Sequence, residues 1–217
     1  MRTIAIEEFG ATLYIMDTKE LEDKACFAKT YDRLSTARRA KVDEQHFMED
    51  KRRSLGAGML LERGLSDYGL KGEETDIACG AYGKPYLKNR PDIHFNLSHA
   101  GDRAAAVFAA SAAGCDIERE KTADMAVARR FFCQTEYEYV CRQGPSEQNR
   151  AFYRLWTLKE SFVKTVGLGL SLPFNAFEIQ FSGGEVAVRQ HVDMASYFFR
   201  EYVLDEGYLL ALCFRGA

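Results

Sequence analysis

The stretch Phe152-Tyr153-Arg154-Leu155-Trp156-Thr157-Leu158-Lys159-Glu160-Ser161-Phe162-Val163-Lys164 constrains this chain most. It has no Gly or Pro, and Leu155, Trp156, Phe162 and Val163 leave room for a polar stripe, which predicts a helix. Residues four apart share a helical face, so Trp156, Glu160 and Lys164 stand in one column. A bulky anchor, a carboxylate and a cation are thereby aimed the same way. On its own, the Glu160 and Lys164 spacing reads first as a solvated ion pair worth a few tenths of a kcal/mol.

A second acidic cluster upstream changes that reading. In Gly114-Cys115-Asp116-Ile117-Glu118 an extended strand points Asp116 and Glu118 to one side and turns Cys115 and Ile117 to the core. Two carboxylates held side by side repel unless a cation lies between them, and hard oxygen ligands suit magnesium. Glu160 from the helix completes a three-carboxylate site for Mg²⁺.

Composition bounds the rest. A chain of 217 residues has room for one domain or two small ones with a substantial core. Its 47% hydrophobic and 28% charged residues are ordinary for a soluble protein. No run approaches the ~20 apolar residues of a membrane span. Met1-Arg2-Thr3-Ile4-Ala5-Ile6-Glu7-Glu8 carries acid where a secretory signal carries its apolar run, so the expected location is the cytoplasm. The six cysteines are scattered, without a C-x-x-C pair, which predicts reduced core thiols. A formal net charge of -3 argues against general nucleic-acid binding, which demands a basic surface. An anionic ligand must therefore meet a local basic patch.

Read in order, the chain opens on a strand or hairpin over residues 4–16, then turns helical to residue 70, with a long helix at about 49–68. Arg38 and Lys41 share a helical face, and Lys51-Arg52-Arg53 open the next helix. These read as a solvated surface or as a phosphate clamp. In Tyr82-Gly83-Lys84-Pro85, Gly83 allows close backbone approach and Pro85 stiffens the loop so that Lys84 is held out. The alternating strand Ile93-His94-Phe95-Asn96-Leu97-Ser98-His99 ends with Ser98 and His99, whose donors suit an anion. Adjacent strand residues face opposite sides, so they make a poor nucleophile and base pair. Residues 103–118 read as a hairpin, 121–132 as a helix, 135–141 as a short helix and 142–149 as a polar loop. Two hairpins, 177–188 and 197–214, close the chain.

Three motifs in this order resemble the signatures of the Sfp-type 4'-phosphopantetheinyl transferases: Phe95-Asn96-Leu97-Ser98-His99, Gly114-Cys115-Asp116-Ile117-Glu118, and Trp156-Thr157-Leu158-Lys159-Glu160-Ser161-Phe162-Val163-Lys164. Ala100 and Cys115 depart from the usual residues without touching chemistry. The resemblance implies an α+β chain of two similar α/β halves related by a pseudo-two-fold, each with a small, mainly antiparallel sheet packed on helices. The halves are expected at 1–103 and 104–217, in a monomer with the ligand in the cleft between them. It implies an enzyme that moves phosphopantetheine from coenzyme A to a serine of an apo acyl or peptidyl carrier protein, with Mg²⁺, releasing adenosine 3',5'-bisphosphate. Asp116, Glu118 and Glu160 would hold the metal, Glu160 would also activate the serine, and Lys164 would stand by the pyrophosphate. The 3'-phosphate would meet Arg38, Lys41, Arg53 (or Arg52 in its place), Ser98 and His99, with Gly83, Lys84 and Pro85 lining the adenine. The segment 119–142, with Arg129-Arg130 and Phe131-Phe132, reads as a carrier-docking surface or, for the two aromatics, as plain core.

Two other classes compete on the residues alone. A magnesium-dependent nuclease also uses Asp-x-Glu with a nearby Lys, but the negative net charge and the lack of aromatic and basic interleaving disfavour it. A non-catalytic binding module would leave the charge clusters as surface pairs worth little each. A P-loop enzyme is disfavoured because G-x-x-x-x-G-K-[ST] is missing.

Overall fold

A computed structural model describes residues 1–71 and 74–216, and these divide into two compact units. The first comprises Met1–Ala78 and Pro85–Ala110, the second Cys79–Lys84 and Ser111–Ala217.

In the first unit, strands β1 (Arg2–Ile6) and β2 (Ala11–Asp17) form the opening hairpin. Helices α1 (Lys24–Tyr31), α2 (Thr36–Asp43) and α3 (Met48–Asp67) follow. A short pair, β3 (Ile77–Cys79) and β4 (Pro85–Leu87), precedes β5 (His94–Ala100) and β6 (Arg103–Ala109). The sheet is antiparallel in the order β1-β2-β6-β5. Leu55, Leu60, Leu61 and Leu65 recur at helical spacing on α3 and bury against Tyr14, Phe95, Ala104, Ala106 and Phe108 of the sheet. This packing holds the Ser98-His99 end of β5 on a rigid sheet.

The second unit contains β7 (Ala113–Arg119), α4 (Met125–Phe131), α5 (Gln134–Cys141), α6 (Pro145–Val166), β8 (Glu178–Ser182), β9 (Glu185–Arg189), β10 (Tyr197–Leu204) and β11 (Tyr208–Arg215). Its sheet runs β10-β11-β7, antiparallel throughout, and β8 and β9 pair separately. The helix α6 is the expected central one. Leu155, Leu158 and Phe162 are fully buried on one face, each worth about 2 kcal/mol of apolar burial. Gly167, at φ 82, ends the helix in a left-handed turn and donates its N–H to the Val163 carbonyl. The two closing hairpins form as their alternation predicts.

Four expectations change. Residues 103–118 are not a hairpin: β6 pairs with β2 and β5, while β7 pairs with β11, so consecutive strands serve different sheets. For the same reason the units divide after Ala110, where a division at 103/104 would cut β6 from its partners. The polar segment 142–149 is largely helical, because Pro145 sits at the first position of α6, where its fixed φ favours a helix and no N–H is needed. Of the six thiols, Cys115 and Cys213 are core residues, but Cys79 and Cys141 are exposed. Among the described residues no helix is long and apolar enough to cross a membrane.

The contact of α6 on β7 is unusually close. A Cβ at Gly114 would lie 2.2 Å from the Ser161 carbonyl oxygen and 2.6 Å from the Thr165 nitrogen, both backbone atoms that cannot swing aside. Gly114→Ala should therefore cost about 3 kcal/mol or more, the upper end of overpacking. Gly144→Ala, at the N-cap of α6 with nothing within 4 Å, should cost no more than about 1 kcal/mol. Urea unfolding midpoints check both, and equal small losses would contradict the close approach.

Candidate functional site

Alternation along β7 works as the sequence predicts: Cys115 and Ile117 are fully buried, and Asp116 and Glu118 lie on the other side. In register, Asp116 stands opposite Ala211 and Glu118 opposite Leu209 of β11, small and apolar neighbours that leave the carboxylates to face other groups. Because α6 lies on β7 at Gly114, the next turn of the helix brings Lys164 to the strand. Its ammonium donates to Asp116 Oδ1 at 2.6 Å and to the Cys115 carbonyl at 3.2 Å. Asp116 is buried, while Glu118, Glu160 and Lys164 are half-buried.

The electrostatics are those of crowded carboxylates. Burial pushes the Glu118 carboxyl up to about 7, and the neighbouring Asp116 and Glu160 add to the rise while Lys164 opposes it. Burial likewise raises Glu160, helped by Asp116 and opposed by Lys164. Lys164 is itself lowered by burial, but Asp116, with Cys115 and Glu160, outweighs this and leaves it raised. The site thus holds three carboxylates against one internal cation. Among the described residues no three such side chains already converge closely enough to hold a metal. The donor set nevertheless fits a hard divalent ion: all oxygens, mutually repelling, and with protonation raised in a way that a bound cation would reverse.

The column predicted on α6 also forms in part as an anchor. Trp156 is half-buried and meets Phe132, Phe152 and Phe174, with ring centroids 6.4, 5.8 and 5.2 Å away. The two aromatics of the 119–142 segment part company. Phe132 is core at 4% exposure, whereas Phe131 is exposed with the Arg130 guanidinium 5.2 Å over its ring.

Sequence reasoning passed over Lys159, which is completely buried. Its ammonium donates to Glu136 Oε1 at 2.6 Å and to the Phe177 carbonyl at 2.9 Å, and lies 4.2 Å over the Phe177 ring. Burial lowers its pKa, and Glu136 opposes this. Glu136 also accepts from the Cys133 and Ile179 N–H groups, so one pair joins α6, α5 and β8. The signal was present: Leu155, Lys159 and Phe162 are spaced four and three apart, which puts the lysine in the core column.

The basic residues of the first unit form their own cluster. Arg38 on α2 donates to the Ser54 carbonyl at 3.0 Å, and the Ser54 hydroxyl donates to the Lys41 carbonyl at 3.4 Å. Burial lowers the Arg38 guanidinium, and its Nε is buried with no hydrogen-bond partner among the described residues. Arg53 donates to the Gly101 carbonyl at 3.2 Å, in the turn that follows Ser98 and His99. Arg52 instead lies 3.6 Å from Glu22, so Arg53 is the arginine that reaches the end of β5. Ser98 is buried and His99 exposed at that end. Lys41 is exposed.

Lys84 corrects an expectation. Gly83 has the positive φ of 83 that its turn requires, and Pro85 opens β4, but the lysine is not held out. Its ammonium turns inward and donates to the Thr165 carbonyl at 2.9 Å and the Ala113 carbonyl at 3.1 Å. A stiff loop fixes where the stem begins, and the open carbonyls of a helix end decide where it goes.

Comparison with known proteins covers nearly the whole chain. Residues 112–213 match the model of the 4'-phosphopantetheinyl transferase superfamily, and residues 22–113 match that of the 4'-phosphopantetheinyl transferase N-terminal region. The chain is 36% identical over 182 residues to a 4'-phosphopantetheinyl transferase of Bacillus subtilis, spanning 83% of this chain and 81% of that protein. It is 34% identical over the same shares to 4'-phosphopantetheinyl transferase Sfp of Bacillus subtilis (strain 168). To 4'-phosphopantetheinyl transferase psf-1 of Bacillus pumilus it is 32% identical over 209 residues, 95% of this chain and 89% of that one.

Two outcomes follow from the second unit. Lys159→Met should cost about 3–5 kcal/mol by leaving the Glu136 charge buried without its cation, and Glu136→Gln in the same protein, which removes the charge and keeps an acceptor for the Cys133 and Ile179 N–H groups, should recover part of it. Equal losses in the single and double variants, read by urea unfolding, would contradict the pairing. In cation-free protein the Glu118 carboxyl should titrate near 7, fall in Asp116→Asn and rise in Lys164→Met. The folded state then binds the extra proton, so this group's contribution to stability falls as pH rises from ~4.3 to its folded value. Carboxyl ¹³C shifts check it, and an ordinary carboxylate titration would contradict the crowding.

Proposed function

This chain belongs to the 4'-phosphopantetheinyl transferase superfamily and is a phosphopantetheinyl transferase, and on that premise we propose its substrates and the roles of its residues. The donor is coenzyme A, the acceptor is a serine hydroxyl of an apo acyl or peptidyl carrier protein, and the second product is adenosine 3',5'-bisphosphate. The serine oxygen forms a bond to the phosphorus that bears pantetheine, and the bond from that phosphorus to the bridging pyrophosphate oxygen breaks. The observation that carries this reading is the crowding of Asp116, Glu118 and Glu160 around one lysine, with Glu118 raised to about 7.

Asp116, Glu118 and Glu160 are the residues that would hold Mg²⁺. When bound, the ion would neutralise charge on the pyrophosphate oxygens. Glu160 accepts the serine proton directly or through a water. In the cation-free protein burial raises its carboxyl, and a shared cation would oppose that rise and keep the carboxylate free to accept the proton. Lys164 keeps its proton beside Asp116 and donates to the leaving phosphate. The 3'-phosphate is taken by Arg38, Lys41, Arg53, Ser98 and His99. A guanidinium lowered by burial and holding an unspent Nε donor is suited to an anion. Gly83 and Pro85 line the adenine, and Lys84 contributes from behind them. Six free cysteines, which a reducing compartment keeps as thiols, support a cytoplasmic setting.

Intact mass of an apo carrier protein after incubation with this protein and coenzyme A tests the reaction. The expected result is a gain of one phosphopantetheine that needs Mg²⁺. Asp116→Ala and Glu160→Ala should each lose several kcal/mol of transition-state stabilisation, so that turnover all but disappears. Near-normal rates in either would contradict the site. His99→Ala should weaken coenzyme A but not its analogue lacking the 3'-phosphate, and equal weakening of both would remove His99 from that phosphate.

A further inference from the structure

The turn that carries Gly83 is closed on itself and fastened at one point. Gly83 N–H donates to the Gly80 carbonyl at 2.9 Å, and Gly80 N–H to the Lys84 carbonyl at 2.9 Å. From this turn Lys84 reaches two backbone carbonyls, that of Thr165 in the last turn of α6 and that of Ala113 at the start of β7. The last four carbonyls of a helix have no partner within it, and a cation there also meets the negative end of the helix dipole. The fit is specific on both sides. A Cβ on Gly167 would come within 3.1 Å of Lys84 Cδ, and one on Gly169 within 3.4 Å of the Tyr82 carbonyl oxygen. Two glycines after α6 thus make the seat on which the turn rests.

We propose that Lys84 is a positioning residue: its ammonium caps the end of α6 and so fixes the turn Gly80–Lys84 to the helix that carries Glu160 and Lys164. The clamp rests on the reading above that this turn receives the adenosine end of the donor. It gives the lysine a different task from a charge contact, since two of its three donors are committed to carbonyls. Burial also draws the ammonium down to about 8, which suits a tether better than a phosphate clamp. Preset placement of the turn spares the donor the cost of ordering it on binding.

Lys84→Met tests the clamp by three readouts. The coenzyme A KM should rise roughly fivefold to tenfold, the scale of one net hydrogen bond, with the loss falling on KM rather than kcat. Amide exchange at Gly80 and Gly83 should quicken. The salt dependence of coenzyme A binding should stay as in the unaltered protein, because no charge contact is lost. An unchanged KM would overturn the proposal. So would protected Gly80 and Gly83 amides with a weakened salt dependence, which would mean that the ammonium meets the donor itself. Failure of the unaltered protein to use coenzyme A would overturn the transferase reading instead, and the exchange arm would still report whether the ammonium holds the turn.

Discussion

The backbone of α6 lies against β7 at Gly114 with no room for a side chain, and the geometry of the carboxylate cluster depends on that approach. Two residues beyond the glycine the strand presents Asp116, and two beyond that Glu118. On the helix side, Ser161 and Thr165 are the residues in contact, so Glu160 and Lys164 flank them. Thr165 strengthens the seat by donating its hydroxyl to the Ser161 and Cys213 carbonyls. The result is a lysine close enough to bond Asp116 across the two elements.

The turn of the helix about its own axis is set from the opposite face. Lys159 enters the core and joins Glu136, so its neighbour Glu160 is directed outward by the helical period. A buried ion pair is a poor source of net stability, because desolvation offsets much of the attraction. Here it makes alternatives costly: a helix rotated by one residue would bury Glu160 and leave Glu136 without its lysine. The pair therefore fixes which way the face with Glu160 and Lys164 points more than it adds to stability. Three backbone groups, of Cys133, Phe177 and Ile179, close the network, so the rotation is tied to α5 and to the start of β8.

Much of this was legible in the sequence where the pattern is local. The two-residue alternation of Gly114-Cys115-Asp116-Ile117-Glu118 announces which side chains meet the core, and the closing hairpins follow from alternation around Gly183-Gly184 and Asp205-Glu206-Gly207. What resisted reading was non-local. Strand β6 and strand β7 look like a hairpin because they are consecutive, yet partner choice is decided by residues a hundred positions away in β11. Pro145 looks like a breaker and is a helix start. Lys84 looks solvent-bound because the carbonyls it finds, on Thr165 and Ala113, are distant in sequence. Lys159 hid beside Glu160 and Lys164, the other charged members of its motif, which are only half-buried.

Three carboxylates opposed by one lysine are a site under electrostatic tension, and the raised Glu118 carboxyl is its clearest sign. A divalent cation shared by these oxygens would relieve that tension while leaving Lys164 charged for the leaving phosphate. The most direct measurement is the anomalous scattering of Mn²⁺, as a stand-in for Mg²⁺, in crystals grown with coenzyme A. The account predicts one strong peak at about 2.0–2.3 Å from oxygens of Asp116, Glu118 and Glu160. A peak elsewhere, or none in crystals of a protein that still transfers phosphopantetheine, would contradict it.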